Sequence, residues 1–263
     1  MDLGLKDKRA LIAGSSRGLG YALASVLAQE GCRLALNARD ERRLADAVKK
    51  LSAETGEQVF GFPGDVSDQS VPQELLSKAA AAMGGLDLLV TNSGGLPPGS
   101  FASLDDQSWQ KAVEMYFMSH VRLIRAALSY LRESKAASVL TMTSYVVKEP
   151  MANLVQSNSI RLATVGLTKS LALELGDEGI RFNSILPANT DTERIQQLAA
   201  ERAERNGTTL EEEMAITGKK SVFGRVARPE EFGNVGAFLL SPAASYLTGV
   251  MLVFDGGQYK GML

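Results

Sequence analysis

The sequence predicts an α/β protein: a parallel sheet carrying helices on both faces. Three observations support this. Short apolar runs alternate with longer segments of helical periodicity along the whole length. Several runs are apolar almost throughout, as strands covered on both sides are. Repeated strand–helix–strand alternation returns each strand parallel to the last through right-handed crossovers.

The expected strands are, in order, RALIAG (Arg9–Gly14), RLALNA (Arg33–Ala38), QVFGF (Gln58–Phe62), DLLVTN (Asp87–Asn92), SVLTMT (Ser138–Thr143), RFNSIL (Arg181–Leu186) and VMLVFD (Val250–Asp255). Between them, segments such as GYALASVLAQEG and DERRLADAVKKLSAETG place apolar residues at helical spacing and finish on glycine, a common helix stop. The stretch from Thr190 to Arg225 departs from this regularity. It is a helical insertion rich in Ala, Glu and Arg, interrupted by NGTT, and lies before the last helix and strand. It reads either as a cap over a ligand crevice or as a solvated surface hairpin. No linker divides the chain, so residues 1–263 are taken as one domain.

Composition narrows the function. Hydrophobic residues make up 45% and charged residues 22%, with a net charge of −2 and both signs interspersed. No basic footprint points to nucleic acid or a membrane surface. No stretch approaches the length of a membrane span, and the start MDLGLKDKRALIAGSSRG lacks the apolar run of a secretory leader. The single Cys32 cannot form an internal disulfide, which suggests a reducing compartment, the cytoplasm by default. The single His120 cannot form a His/Cys metal cluster by itself, and no metal is expected.

The first strand runs straight into LIAGSSRGLGYALA, where Gly14, Gly18 and Gly20 are spaced G-x-x-x-G-x-G and Ser16, Arg17 and Leu19 complete the loop. Glycine allows a tight turn and close backbone approach to a pyrophosphate. The N-terminus of the following helix supplies N–H groups and a favourable dipole. Three glycines alone are a weak signal; the strand before and the helix after strengthen it. A doubly wound, Rossmann-type domain with a seven-stranded parallel sheet and a helical substrate-cap insertion at about residues 190–225 follows.

This spacing resembles that of the short-chain dehydrogenase/reductase family, and other stretches agree over essentially the whole chain. GDVSD puts Asp65 and Val66 where the family holds adenine. TNSGG resembles its N-N-A-G turn, with Asn92, Ser93 and Gly94 in those places. IRFNSILPANTDT resembles its I-R-V-N-x-x-x-P-G-x-x-x-T segment, giving Pro187, Thr190 and Thr192 as further dinucleotide contacts, with Ala188 in place of the glycine. The likeness is greatest to the 3-oxoacyl-acyl-carrier-protein reductase branch. It implies a nicotinamide cofactor, a small carbonyl or alcohol substrate, and a homodimer or homotetramer formed through the helices carrying Tyr116 and Ser157.

NADP(H) is expected over NAD(H). After the second strand the chain reads LNARDE, so Ala38 stands where an acidic residue would take the ribose hydroxyls, and Arg39 follows. Arg39 and Arg17 could meet a 2′-phosphate with charge-assisted hydrogen bonds. The alternative makes Asp40 a helix cap and Arg39 merely solvated.

The family moves a hydride between nicotinamide and a carbonyl carbon while a tyrosine, helped by a lysine four residues later, delivers the proton. A serine thirteen residues before the tyrosine holds the carbonyl, and an asparagine on the preceding helix completes a relay. Here RLATVGLTKSLALEL resembles K-A-A-x-x-G-L-T-x-S-L-A-x-E-L, which sets Arg161 in the lysine's place, where its donors would suit the cofactor's ribose hydroxyls, and Ser157 in the tyrosine's. Ser144 keeps its family identity, and WQKAVEMYFMSHVRL places Tyr116 where asparagine belongs. SYVVKEP also holds a Tyr and a Lys, but their spacing is three and the segment ends at Pro150, so that alignment fails. Tyr145 itself remains a possible participant. Three substitutes for the missing phenol are open: Tyr116, Tyr145, or a water held by Ser144 and Ser157 with Arg161 stabilising the oxyanion. For each tyrosine, core packing with a satisfied hydroxyl is the plainer reading. His120 could assist as an acid or simply pack. Lys169 sits about 12 Å along the helix from Arg161 and reads as a surface lysine. Two functions result: an NADPH-dependent reductase with altered proton delivery, nominally of 3-oxoacyl thioesters or other small ketones, or a dinucleotide-binding sensor or assembly partner that has lost catalysis.

Overall fold

The computed structural model describes residues 2–262. Seven parallel strands form one sheet in the order β3-β2-β1-β4-β5-β6-β7. They are β1 Arg9–Ile12, β2 Arg33–Ala38, β3 Val59–Pro63, β4 Leu88–Thr91, β5 Ser138–Met142, β6 Arg181–Pro187 and β7 Met251–Phe254. Each lies within two residues of its expected bounds. The first ends early because Gly14, at φ 62°, turns the chain out of the sheet. β4 and β5 are buried at every residue, which explains their unbroken apolar character.

Strand order reverses between β1 and β4, and the crevice at the carboxyl ends of those strands is where open α/β sheets bind ligands. Around it stand α1 (Gly18–Gln29), α2 (Glu41–Thr55), α3 (Val71–Met83), α4 (Asp106–Val113), α5 (Ser119–Arg132), α6 (Val155–Glu174) and α9 (Pro229–Leu240). Leu23, Leu27 and Phe232 fill the core on one face of the sheet; Leu76, Leu123 and Phe182 fill it on the other.

The segment read as one helix around Tyr116 is interrupted. Glu114–Met118 forms a π-turn between α4 and α5, a distortion that inserts a residue and often marks a functional position.

The insertion folds as two helices, α7 (Glu193–Asn206) and α8 (Leu210–Gly218), with NGTT as the turn. Gly207 at φ 68° ends α7, and Thr209 starts α8 with a capping box to Glu212. Glu213, almost fully buried, fastens the hairpin by accepting from Arg202 Nε (3.2 Å), Asn206 Nδ2 (2.9 Å) and Thr208 Oγ1 (2.8 Å). Thr217 and Ser221 from this unit share a pocket with Phe254 and Gln258 at the carboxyl end of β7. The insertion therefore walls this pocket, while Leu210 and Ile216 face outward. Among the described residues no helix is long and apolar enough to cross a membrane.

Candidate active site

The crevice over β1, β2 and β4 has a volume of about 560 Å3. Of the residues expected to hold a dinucleotide, Gly14, Ser16, Arg17, Arg39, Asp65, Val66, Asn92, Ser93 and Gly94 line it. The cradle is shaped by steric necessity. A Cβ on Gly20 would lie 2.4 Å from the Gly14 carbonyl oxygen, and one on Gly14 would lie 2.7 Å from Asn92 Nδ2. Asn92 Nδ2 donates to Gly14 O at 3.2 Å and pins the turn. No side chain caps α1 at Arg17, so its first N–H groups are left for a ligand. Leu19 packs against the core, and Gly18 lines an adjoining groove together with Thr192.

Two buried hydroxyls, Ser93 Oγ and Thr190 Oγ1, have no partner among the described residues. Unsatisfied polar groups are what a polar ligand would complete, and with the glycine cradle they fit a dinucleotide. Pro187 ends β6 three residues before Thr190.

Sequence reasoning missed two residues here. Asn37 is buried and donates to Phe62 O (3.0 Å) and Gly64 O (3.2 Å), bracing the crevice wall. Arg43 is exposed and lines the crevice beside Arg39. Its position one turn into α2 was the available signal. Asp40 does cap α2, accepting from Arg43 N at 3.0 Å. Arg39 is more than solvated: its Nη1 lies 3.5 Å from Asp65 Oδ2. Burial alone would raise the Asp65 pKa, but hydrogen bonds from Ser67 and the charge of Arg39 outweigh it and hold the carboxyl below its ordinary value. Arg17 reaches across to Glu193 at 2.7 Å, tying the cradle to the start of α7.

Next to the crevice, beyond Gly94 and Met115 of its lining, stand side chains of the π-turn and α6. Arg161 is buried, 8% exposed. Its Nε donates to Ser157 Oγ at 3.1 Å, Nη1 to Thr143 O at 3.3 Å and Nη2 to Gly94 O at 3.5 Å. The guanidinium carbon lies 4.2 Å from the centre of the Tyr116 ring. No carboxylate among the described residues comes within ion-pair distance of Arg161. Burial lowers its pKa, partly offset by the Tyr116 hydroxyl. Ser157 and Arg161 thus share a face as their spacing requires, and Tyr116 joins them.

The two tyrosines differ in what their hydroxyls do. The Tyr116 oxygen accepts from Leu96 N at 2.7 Å, which fixes the phenol and leaves its proton free to donate. The Tyr145 hydroxyl donates to Glu149, and burial together with that carboxylate pushes its pKa up to about 12. Tyr145's proton is therefore already committed. Ser144 is half-buried at the end of β5, and its oxygen accepts from Val146 N at 3.4 Å.

His120 packs in the interior. It is 1% exposed, its Nδ1 lies 2.7 Å from Thr91 Oγ1, and burial with the charge of Arg161 pushes its pKa down to about 3. Lys169 is exposed, as expected.

A family model described as enoyl-(acyl carrier protein) reductase matches residues 13–258. The chain belongs to the short-chain dehydrogenase/reductase family of oxidoreductases. It is 30% identical over 265 residues to the 2,3-dihydro-2,3-dihydroxybenzoate dehydrogenase of Bacillus subtilis, covering 98% of each chain. The L-sorbose reductase of Gluconobacter frateurii, solved with NADPH and L-sorbose, superposes with a TM-score of 0.96 at 30% identity over 100% of both chains. A short-chain oxidoreductase from Pseudomonas aeruginosa PAO1, solved with NADPH and described as having an atypical catalytic center, gives a TM-score of 0.87 at 26% identity, covering 97% of this chain and 99% of that one. These NADPH-bound neighbours support a nicotinamide dinucleotide as the cofactor of this short-chain dehydrogenase/reductase.

Proposed function

We propose that this protein is an NADPH-dependent reductase of a small carbonyl compound in which Tyr116 delivers the proton and Arg161 stabilises the phenolate left behind. The observation that carries this reading is the buried guanidinium, 4.2 Å from the centre of the Tyr116 ring and with no carboxylate partner among the described residues. A positive charge in a dry site stabilises developing negative charge more strongly than in water. Arginine stays protonated, so its part is electrostatic. Ser157, too short and too weakly acidic to replace a phenol, accepts from Arg161 and holds it in place. Ser144 offers a hydroxyl to the substrate oxygen from the end of β5.

When bound, the dinucleotide supplies the hydride. The carbonyl carbon takes it, and the oxygen takes the Tyr116 proton, which solvent then replaces. Gly14, Gly18, Gly20 and the first turn of α1 would hold the pyrophosphate, and Asp65 and Val66 the adenine. Arg17, Arg39 and Arg43 would meet the 2′-phosphate, supporting NADPH over NADH. The neighbouring L-sorbose reductase makes a ketose the first substrate to try. Exposed Leu162 and Leu173 on α6 are consistent with assembly into a dimer or tetramer through that helix.

A second reading, a dinucleotide-binding sensor without turnover, is favoured by the commitment of Tyr145 to Glu149 and the neutrality of His120, which leave a single phenol as acid. Stopped-flow NADPH oxidation against L-sorbose, a 3-oxoacyl thioester and a cyclic ketone separates the two. The reductase turns over at least one of them, loses about 10²–10⁴-fold in rate on Tyr116→Phe, and is little changed by Tyr145→Phe. Ser144→Ala should cost less than Tyr116→Phe. Tight NADPH binding with no oxidation on any ketone would establish the sensor instead.

A further inference from the structure

Arg17 and Arg39 both line the dinucleotide crevice, and each is already met by a carboxylate. The two pairings differ. Asp65, the partner of Arg39 at 3.5 Å, lines the crevice itself. Glu193, the partner of Arg17 at 2.7 Å, comes from outside it: it opens α7 and lines the neighbouring groove with Thr192 and Gly18. A carboxylate in the first turn of a helix lies at the positive end of the dipole, and the Thr192 side chain leaves that end uncapped. Arg17 in turn stands at the start of α1, whose first N–H groups are left for a phosphate. Glu193 therefore draws towards α7, and partly neutralises, a guanidinium that the crevice can offer to an anion. Both side chains are more than half exposed, at 54% and 62%, so the contact is screened and open to exchange. A phosphate carries more charge than one carboxylate and takes arginine N–H groups in pairs.

We propose that Glu193 is a specificity-determining residue of the cofactor site, acting through Arg17. By holding that guanidinium it loosens the grip on NADPH, whose 2′-phosphate has to win Arg17 from the carboxylate. NADH makes no such demand, because its ribose carries only a hydroxyl there. The preference between the two dinucleotides is thus tempered by a residue of the helical insertion and is not set by the crevice arginines alone. The proposal rests on the reading of Arg17 as a 2′-phosphate contact and adds a competitor to it. NADPH binding, unlike NADH binding, then unties the start of α7 from the glycine loop.

Calorimetric titration of the full chain with NADPH and with NADH tests this on wild type, Glu193→Gln, Arg17→Met and the double variant. Glu193→Gln keeps the size of the side chain and removes its charge. It should tighten NADPH about two- to fivefold, the worth of an exposed ion pair, and leave NADH where it was. In the Arg17→Met background the same change should move neither dinucleotide, since the partner through which Glu193 acts is gone. Unchanged NADPH affinity in Glu193→Gln overturns the proposal; if Arg17→Met still weakens NADPH more than NADH, the reading of Arg17 survives. Equal tightening of both dinucleotides also overturns it, because Glu193 then repels the pyrophosphate they share. So does a tightening of NADPH that persists without Arg17, which would make the repulsion direct. If Arg17→Met weakens NADPH and NADH alike, Arg17 does not meet the 2′-phosphate, and the reading of Arg17 falls together with the proposal.

Discussion

The two ends of the crevice are built from different materials. The dinucleotide end is made of backbone: a turn at Gly14, a close approach at Gly20 and an uncapped helix start. The end proposed for the reaction is made of side chains, Tyr116, Ser157 and Arg161, brought together from a π-turn and α6. A backbone cradle tolerates little change, because any Cβ at Gly20 meets the Gly14 carbonyl. A side-chain cluster can be rebuilt without moving the fold, because phenol and cation need only meet in space. Here a phenol from position 116 and a guanidinium from position 161 meet where the family pairs Tyr and Lys along one helix. The comparison teaches that fold likeness certifies the first end far better than the second.

The largest expected effect breaks the backbone end. Gly20→Val puts its side chain 2.4 Å or less from Gly14 O, so the turn must shift. NADPH affinity should fall by about 100-fold or more, equivalent to about 3 kcal/mol of overpacking strain. Fluorescence titration reads it, with circular dichroism to show that the sheet persists. Retention of affinity within threefold would mean that the turn does not set the cradle.

That asymmetry also decides how much was legible beforehand. The glycine loop could be read because glycine identity encodes a conformation: Gly14 and Gly18 sit at φ 62° and 60°. The strands could be read because burial on both faces leaves runs such as LLVT apolar. Ser157 and Arg161 could be placed on one face from their spacing of four. The π-turn could not, since one extra residue in a helical turn leaves the pattern of buried Met115 and Tyr116 looking like an ordinary helix. Nor could the fates of the two tyrosine hydroxyls, which depend on Leu96 N and Glu149, neighbours whose contacts only the fold decides. The pairing of Arg17 with Glu193 escaped notice because residues so far apart in the chain meet only in three dimensions.

An intermediate effect tests cofactor choice at the same backbone end. Arg39 is well exposed and shared with Asp65, so its contact with a 2′-phosphate is worth less than a buried pair. Arg39→Ala should weaken NADPH binding by about tenfold and leave NADH unchanged, since only the former carries the phosphate. Equal losses for both dinucleotides, read by calorimetry, would assign Arg39 to the crevice wall and not to selectivity.

The last effect is on stability, not on binding, and locates acid sensitivity beside Arg161. His120 is buried within the field of Arg161, and its folded pKa of about 3 lies below the ordinary 6.5. Between those values the unfolded chain binds a proton that the folded chain refuses. Stability is therefore fully present above about pH 6.5 and is lost as pH falls towards 3, at up to about 1.4 kcal/mol per pH unit. Carboxylates with depressed pKa values, among them Asp65, Asp87, Glu213 and Glu231, lose their contribution further down, so the window from about pH 5.5 to 6.5 isolates the histidine. Urea unfolding across that window should show a steeper fall for wild type than for His120→Leu, whose absolute stability at pH 7 is also altered by the freed Thr91 hydroxyl. The slope, not the offset, carries the result. Parallel slopes would mean that His120 takes up its proton in the folded state, which requires that the charge on Arg161 be shielded by something other than the neutral oxygens it now touches.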